Sequence, residues 1–110
     1  MAYQSVHRFA RIAPRKARLI ADLIRGMRID QAMTELKFNK KRAAWYFKAV
    51  LNSAIANAEE GEADMQSLYI TESRVDEGPT MKRWRPKDRG RAHPIRKRTS
   101  HLYIAVEERN

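Results

Sequence analysis

The chain of 110 residues is long enough for a single small domain, residues 1–110, and its hydrophobic content of 43% is too high for a disordered protein. It has no cysteine, which excludes disulfides, thiolate metal sites and cysteine nucleophiles, and it lacks the apolar runs of signal peptides and membrane helices. We therefore expect a soluble, cytoplasmic protein. Its 23 Lys and Arg residues outnumber its 13 Asp and Glu residues, and the net charge of +10 favours a polyanionic partner, with nucleic acid preferred over an anionic membrane surface.

The N-terminal segment predicts a strand followed by a helix. Residues 3–12 have the pattern of a short strand, with Val6 and Phe9 as its apolar anchors. Residues 14–25 predict a helix, because Pro14 suits its first turn and Gly26 suits the position after its last turn. The apolar residues at helical spacing in this segment are Ala17, Ile20, Ile24 and Met27.

Two further helices are predicted between residues 30 and 61. Asp30 suits the N-cap of a short second helix that ends near Leu36. The third helix is the longest, and we expect it to begin at Asn39 and to end at Gly61. Its first turn carries three cations at the end that the helix dipole makes unfavourable for positive charge, which a binding function would explain. These cations are Lys40, Lys41 and Arg42, and the apolar face of the helix comprises Ala44, Phe47, Leu51, Ala54 and Ala58.

The C-terminal half predicts two strands. Residues 68–75 alternate like a strand, and a bulge between Ile70 and Val75 would place both on one buried face. The last strand alternates at Leu102, Ile104 and Val106. The predicted fold class is therefore α+β, with three helices packed on a small antiparallel sheet and a long protruding β-hairpin.

Residues 79–98 lie between these strands and are called the arm below. The arm has too few apolar residues to fold back on a core, so we expect a basic hairpin that turns at Arg89 and Gly90. A lone ribbon with like charges on both strands is marginally stable and should order when phosphates neutralise it. In the predicted register, Trp84 pairs with Ile95 and Val75 pairs with Ile104.

The arm holds nine Lys and Arg residues and a single acid, Asp88. Arg predominates, which favours forked contacts with phosphates and stacking on bases. Trp84 fits either a stack on an RNA base or a contact with Ile95 across the strands. If about six of these cations meet phosphates, affinity should fall roughly a thousandfold between about 50 and about 200 mM salt.

Charges are segregated along the rest of the chain as well, which indicates a basic binding surface and an acidic solvent-facing surface. The acids gather at Glu59, Glu60, Glu62 and Asp64, and again at Glu72, Asp76 and Glu77. The basic residues outside the arm cluster at Arg8, Arg11, Arg15, Lys16, Arg18, Arg25 and Arg28, and at Lys37, Lys40, Lys41, Arg42 and Lys48.

No pattern in the sequence predicts catalysis or a cofactor. The adjacent carboxylates Asp76 and Glu77 point to opposite faces of a strand, so they do not form one metal site. The histidines lack metal-ligand spacing, and there is neither a phosphate-binding loop nor a dinucleotide-binding turn. Met33, Trp45 and Met65 are expected in the core or at its edge, and not in a ligand site. We therefore expect no enzyme, no metal, no cofactor and no small-molecule substrate.

Three groups of motifs resemble the large-subunit ribosomal protein twenty-two family, of the bacterial type. They are PRKARLIADLIRG at residues 14–26, LNSAIANAE at 51–59, and the set VDEGP at 75–79, MKR at 81–83, GRA at 90–92 and KRTSH at 97–101. Together they span nearly the whole chain. The chain differs from the family's usual pattern at Met27, at Lys87 with Asp88, and at His93 with Pro94.

The resemblance implies a structural protein of the large ribosomal subunit that binds several domains of the 23S ribosomal RNA and takes part in early subunit assembly. It also implies that the hairpin lines the peptide exit tunnel, opposite a loop of large-subunit ribosomal protein four and near the nascent peptide and macrolide antibiotics. The expected RNA-binding residues are Arg8, Arg11, Arg15, Lys16, Arg18, Arg25, Lys40, Lys41, Arg42, Lys82, Arg83, Arg85, Arg96, Lys97 and Arg98. The expected tunnel-facing tip comprises Arg85, Pro86, Lys87, Asp88, Arg89, Gly90 and Arg91.

Two other functions compete with this hypothesis. The chain could be a free-standing regulator that binds DNA or RNA through the cations of the first and third helices, or an RNA-processing enzyme. Co-sedimentation with large subunits separates the ribosomal hypothesis from the first, and a metal-dependent cleavage assay addresses the second.

Overall fold

The computed structural model of the protein describes residues 2–87 and 91–109, and it contains three helices packed on a three-stranded antiparallel sheet. Two further strands form a separate antiparallel sheet. The predicted α+β fold class, with three helices on an antiparallel sheet, is confirmed. No helix in the described ranges combines the length and the apolar character that crossing a membrane requires. The elements are β1 (Ala2–Ala10), α1 (Pro14–Ile24), α2 (Ile29–Phe38), α3 (Arg42–Glu60), a 3-10 turn (Met65–Ser67), β2 (Leu68–Glu77), β3 (Met81–Lys87), β4 (Arg91–Lys97) and β5 (Ser100–Glu108).

The main sheet has the order β1–β5–β2, and both outer strands run antiparallel to the central one. The predicted N-terminal strand is confirmed as β1, but its predicted anchors are wrong. Val6 is 47% exposed because it pairs with Tyr103, on the sheet face turned away from the helices. Phe9 is 60% exposed because the pairing of β1 becomes irregular there, and its φ of 59° lies in the left-handed region.

The predicted bulge in β2 is confirmed. Pairing with β5 shifts by one residue between Ile70 and Glu72. Without that shift the strict alternation of a strand would place Val75 on the opposite face from Ile70. With it, the buried residues of β2 are Leu68, Ile70, Ser73 and Val75.

All three helices are present, although two begin away from the predicted residue. Helix α1 ends before Gly26, whose φ of 86° suits only a residue without a Cβ atom. Asp30 is not the cap of α2, because Arg28 occupies that position without a side-chain cap and Asp30 lies inside the first turn. Helix α3 begins at Arg42 because Asn39 Oδ1 accepts a hydrogen bond from the Lys41 N–H at 2.9 Å, which holds residues 39–41 in a turn. Its end at Gly61 is as predicted.

The core lies between the helices and the main sheet. The predicted apolar face of α3 is fully buried, and Phe47 and Leu51 are among the largest side chains there, each contributing roughly 1.5–3 kcal/mol. Met33 and Met65 pack at the core edge, as predicted. Trp45 does not, because it is 68% exposed. The phase of α3 could have shown this, since Trp45 lies about 160° around the helix from the centre of the buried face at about 100° per residue.

Strands β3 and β4 of the arm pair in a register that differs from the predicted one. Trp84 lies opposite Pro94, not Ile95, because the pairing ends with Lys87 opposite Arg91 and leaves three residues between the strands, not two. The predicted turn at Arg89 and Gly90, and Asp88 beside it, lie outside the described residues. Val75 lies opposite Leu102, not Ile104. The two sheets are offset by one residue, because residues 78–80 on the outgoing strand face only 98–99 on the returning strand.

Candidate nucleic-acid interface

The base of the arm is fixed by hydrogen bonds in a buried environment. Thr99 is 4% exposed, and its hydroxyl donates to the Pro79 carbonyl oxygen at 2.7 Å. The Gly78 N–H donates to the Thr99 carbonyl oxygen at 3.0 Å. The fully buried Ser100 hydroxyl donates to the Ile12 carbonyl oxygen at 2.6 Å, which ties the returning strand to the start of α1. These bonds set the direction in which the arm leaves the domain.

Strands β3 and β4 concentrate positive charge. Their fourteen residues include seven cations and no acid. Their register places Lys82 opposite Arg96 and Lys87 opposite Arg91. Like charges directly opposite one another destabilise an antiparallel pair. The cations of the arm therefore repel one another in the isolated protein and would attract a polyanion.

A second concentration of positive charge lies where α1 meets the beginning of α3. Lys16 of α1 faces Lys41 and Arg42 across a groove of about 380 Å³. The remaining lining residues are Ile12, Leu19 and Ala43, so no acid lines it. We call this groove, defined by its six lining residues, the basic groove. It brings together cations from the two basic groups that the sequence shows separately.

Arg42 is held in place by the side chain one turn along α3. Its guanidinium lies 5.8 Å from the centre of the Tyr46 ring, and its Nη2 donates to the Tyr46 hydroxyl oxygen at 3.3 Å. Neither contact neutralises its charge. The remaining guanidinium donors of Arg42 can therefore serve a phosphate.

Arg18 and Arg25 of the predicted set differ from the other cations, because both bind the edge of β2. Arg18 Nη2 donates to the Val75 carbonyl oxygen at 3.3 Å, and Arg25 Nη2 donates to the Ser73 carbonyl oxygen at 2.5 Å. Arg25 also pairs with Asp22 at 2.9 Å. These two arginines cover an open sheet edge, which is a structural role that the sequence did not indicate.

The remaining predicted cations of the domain are exposed on the surface. Within residues 2–80 and 98–109, whose side chains are described, none of them forms an ion pair. Cations without acidic partners keep their full charge for an external polyanion. They are Arg8, Arg11, Arg15, Lys16, Lys40, Lys41, Arg42 and Arg98.

The acidic residues lie elsewhere. One group occupies the end of α3 and the loop after it, at the far end of a 19-residue helix from Lys41 and Arg42. The other lies on β2, where Arg74 pairs with both Glu72 and Asp76 and stacks 4.1 Å from the centre of the Tyr103 ring. The hydrogen bond to Glu72, with the charge of Asp76, raises the pKa of Arg74 above its ordinary value. Neither of these two acidic groups lines the basic groove.

The described residues contain no cluster of His, Asp and Glu that could hold a metal ion. The histidines of the domain have structural contacts instead. His101 Nδ1 accepts a hydrogen bond from the Phe9 N–H at 3.1 Å, and the His7 ring packs edge-on against Tyr46 with 5.5 Å between ring centres. The Asp76 carboxylate forms an ion pair with Arg74, and Glu77 lies opposite Ser100 in the sheet.

Comparison with protein families gives one match that covers most of the chain. The model of the family described as Ribosomal protein L22p/L17e matches residues 5–107. The match includes all three helices, the main sheet and the arm, and it agrees with the motifs at residues 14–26, 51–59 and 75–101. The match also decides against the two competing hypotheses, a free-standing nucleic-acid-binding regulator and an RNA-processing enzyme. The chain belongs to the Ribosomal protein L22p/L17e family, and it is an RNA-binding structural constituent of the large ribosomal subunit, not an enzyme.

Proposed function

We propose that the chain binds the 23S ribosomal RNA through two surfaces, the arm and the basic groove with its neighbouring cations. Contacts at two separated surfaces would join different domains of the RNA, which would support early assembly of the subunit. The neighbouring cations in this proposal are Arg8, Arg11, Arg15, Lys40 and Arg98.

The charge of the arm is the observation that carries this proposal. Seven cations without an acid lie on a ribbon whose seven-residue strands span about 23 Å. Such a ribbon gains little from its own pairing, because isolated two-stranded sheets are marginal and two of its pairs join like charges. Phosphates would remove that repulsion, so the free energy of ordering the arm is coupled to RNA binding.

The shape of the molecule supports a further part of the proposal, in which the arm reaches the peptide exit tunnel. The chain is 65 Å long but only 23 Å and 17 Å across. A ribbon of two strands, about 5 Å apart, is narrow enough to pass between RNA helices. In this arrangement Arg85, Lys87 and Arg91 would lie near the nascent peptide, opposite large-subunit ribosomal protein four.

The salt dependence of RNA binding tests the role of the arm. Replacing Lys82, Arg83 and Arg96 by Ala should weaken binding to a 23S transcript and reduce the slope of log affinity against log salt by about 3, because each lost phosphate contact removes about one unit. The matched control replaces Arg28, Arg74 and Arg109 by Ala. It removes the same charge, but these arginines contact the Gln66 carbonyl oxygen, two carboxylates and the Tyr69 ring respectively. Equal slopes for the two triple variants would exclude the arm as the main phosphate-binding element.

The tunnel position has its own test, for which the absence of cysteine is useful. A Lys87→Cys variant carries a single thiol near the tip of the arm. In ribosomes stalled with a nascent chain, a photoactivatable crosslinker on this thiol should capture the peptide. A Glu60→Cys variant, with its thiol at the end of α3, should not. Peptide crosslinks from both positions, or from neither, would contradict the proposed tunnel position.

A further inference from the structure

Trp45 belongs to a small set of large hydrophobic side chains that are more than half exposed in the part of the chain whose side chains are described, together with Phe9, Leu19 and Phe38. It projects from the face of α3 opposite the core and is 68% exposed, so at least one face of its indole ring is open to solvent. We propose that Trp45 is a stacking platform for an unpaired base of the bound RNA. The inference rests on the proposed RNA binding and adds to it the structural state of the RNA at this position.

Neighbouring side chains hold the indole in place. The Trp45 and Tyr46 rings pack edge to face, with 5.0 Å between ring centres and 76° between ring planes. Tyr46 is itself fixed by His7 of β1, at 5.5 Å between ring centres, and by the guanidinium of Arg42. Trp45 is thus attached through Tyr46 to both the sheet and the helix. A base that stacks on it meets a surface that is already ordered, so little side-chain entropy is lost on binding.

The charge around Trp45 selects RNA over an apolar protein surface. Residues 37–58 contain five cations and no acid. Arg42 precedes Trp45 by one turn of α3, so its guanidinium lies on the same side of the helix. Aromatic side chains interleaved with cations are the usual arrangement for single-stranded RNA, where the cations follow the backbone and the rings stack on bases.

The state of the RNA follows from the geometry of stacking. In a duplex the faces of the bases are covered by their neighbours, so an indole on a convex helix surface cannot reach them. A base in a loop or bulge exposes a face and can be turned outward. Stacking tolerates every base type, because each has a flat aromatic face. The site therefore recognises an unpaired nucleotide and not a particular base.

The intrinsic fluorescence of Trp45 tests the inference directly. The chain contains two tryptophans, and Trp84→Phe leaves Trp45 as the single indole in the full-length protein. Titration of this variant with a 23S transcript should quench the Trp45 emission in parallel with binding. In the same background, Trp45→Leu should lower the affinity about tenfold, whereas Trp45→Phe, which keeps a flat ring, should stay within about threefold of the parent.

The outcomes separate this inference from the proposed function. If RNA binds with the parent's affinity and salt slope while the Trp45 emission stays constant, the platform is refuted and RNA binding stands. If Trp45→Leu and Trp45→Phe bind the transcript equally well, a flat ring is not needed for binding and the inference is overturned. If no variant binds the transcript, both proposals fail. Circular dichroism of each variant should match that of the parent, because the replaced side chain lies outside the core.

Discussion

Two buried serines on the inner face of the main sheet have opposite relations to their surroundings. Ser100 donates its hydroxyl to the Ile12 carbonyl oxygen, whereas the hydroxyl of Ser73 has no hydrogen-bond partner among the described residues. Both side chains are almost fully buried. A buried hydroxyl without a partner costs desolvation energy and gains nothing in return.

Replacing each serine by alanine should therefore change stability in opposite directions. Ser100→Ala should lower the free energy of unfolding by about 1–3 kcal/mol, because it leaves the Ile12 carbonyl oxygen unpaired. Ser73→Ala should raise it by up to about 1 kcal/mol. Urea denaturation of the two variants measures both effects. A loss of stability in Ser73→Ala as large as that in Ser100→Ala would show that Ser73 has a favourable contact after all.

Gly78 is required by close approach at the base of the arm. A Cβ atom there would lie 2.5 Å from Thr99 Oγ1, and that oxygen cannot withdraw without losing its bond to the Pro79 carbonyl oxygen. Gly78→Ala should destabilise the protein by about 1–3 kcal/mol. In a double-mutant cycle measured by denaturation, Thr99→Ala should recover part of this loss. Strict additivity of the two changes would mean that the contact with Thr99 is not the cause.

At the scale of elements, the charged residues at both ends of α3 have the sign that is unfavourable for the helix dipole. Its first turn contains no acid and its last turn contains no cation, while Lys41 stands at the N-cap without a side-chain cap bond and Glu59 and Glu60 occupy the C-terminal end. Each of these charges costs a few tenths of a kcal/mol. Lys41 and Arg42 line the basic groove, so the proposed RNA binding would explain the cost at the N-terminal end.

Lys41→Asp should therefore stabilise the free protein and impair its function. Aspartate is a favoured N-cap residue and its charge suits the dipole, so the free energy of unfolding should rise by about 1 kcal/mol. Affinity for the 23S transcript should fall, because the basic groove loses a cation. Lys37→Asp is the control, since it makes the same charge change in the last turn of α2, where a cation is favourable. Thermal melts that rank Lys37→Asp above Lys41→Asp would contradict this account.

Periodicity predicted the elements well, because the apolar faces of α1 and α3 and the alternation of β2 and β5 are local patterns. The beginning of α3 was missed because the side chain of Asn39 competes with the helix for the Lys41 N–H, and such a bond leaves no periodic signal. The register of the arm was missed because three residues, not two, separate β3 from β4. The register of β2 with β5 was missed because residues 78–80 face only 98–99, which adds a further offset of one residue. The positions of Arg18 and Arg25 could not be predicted, since their β2 partners are 57 and 48 residues away.

For the whole molecule, the strands of the arm form a sheet of their own. Within residues 2–80 and 98–109, whose burial is described, the buried cluster draws on the helices, the main sheet and the segment that precedes α1. Residues 81–97 contain eight cations and one acid, so they carry seven of the chain's ten net positive charges. Removing residues 81–97 should therefore reduce charge repulsion and cost the core few contacts.

A variant in which residues 81–97 are replaced by a short glycine and serine turn should therefore fold. Gly78 and Thr99 are already hydrogen-bonded neighbours, so a short connection can join the two strands. Calorimetry should show one cooperative transition close to that of the full chain, and affinity for the 23S transcript should drop sharply. Loss of the cooperative transition would show that the arm contributes to the core.

Because of the offset between the two sheets, the pairing of odd-numbered and even-numbered residues differs between the arm and the main sheet. In β3 and β4 odd-numbered residues pair with odd and even with even, whereas in β2 and β5, beyond the bulge, odd pairs with even. Partners in an antiparallel pair belong to one face. Odd positions of the ribbon therefore include five of its seven cations, whereas even positions include Trp84, both prolines and Ala92, with cations only at Lys82 and Arg96 near the base. Toward the tip, the register of β3 and β4 thus assigns the cations to one alternating set of positions and leaves the other set, at 84, 86, 92 and 94, without charge.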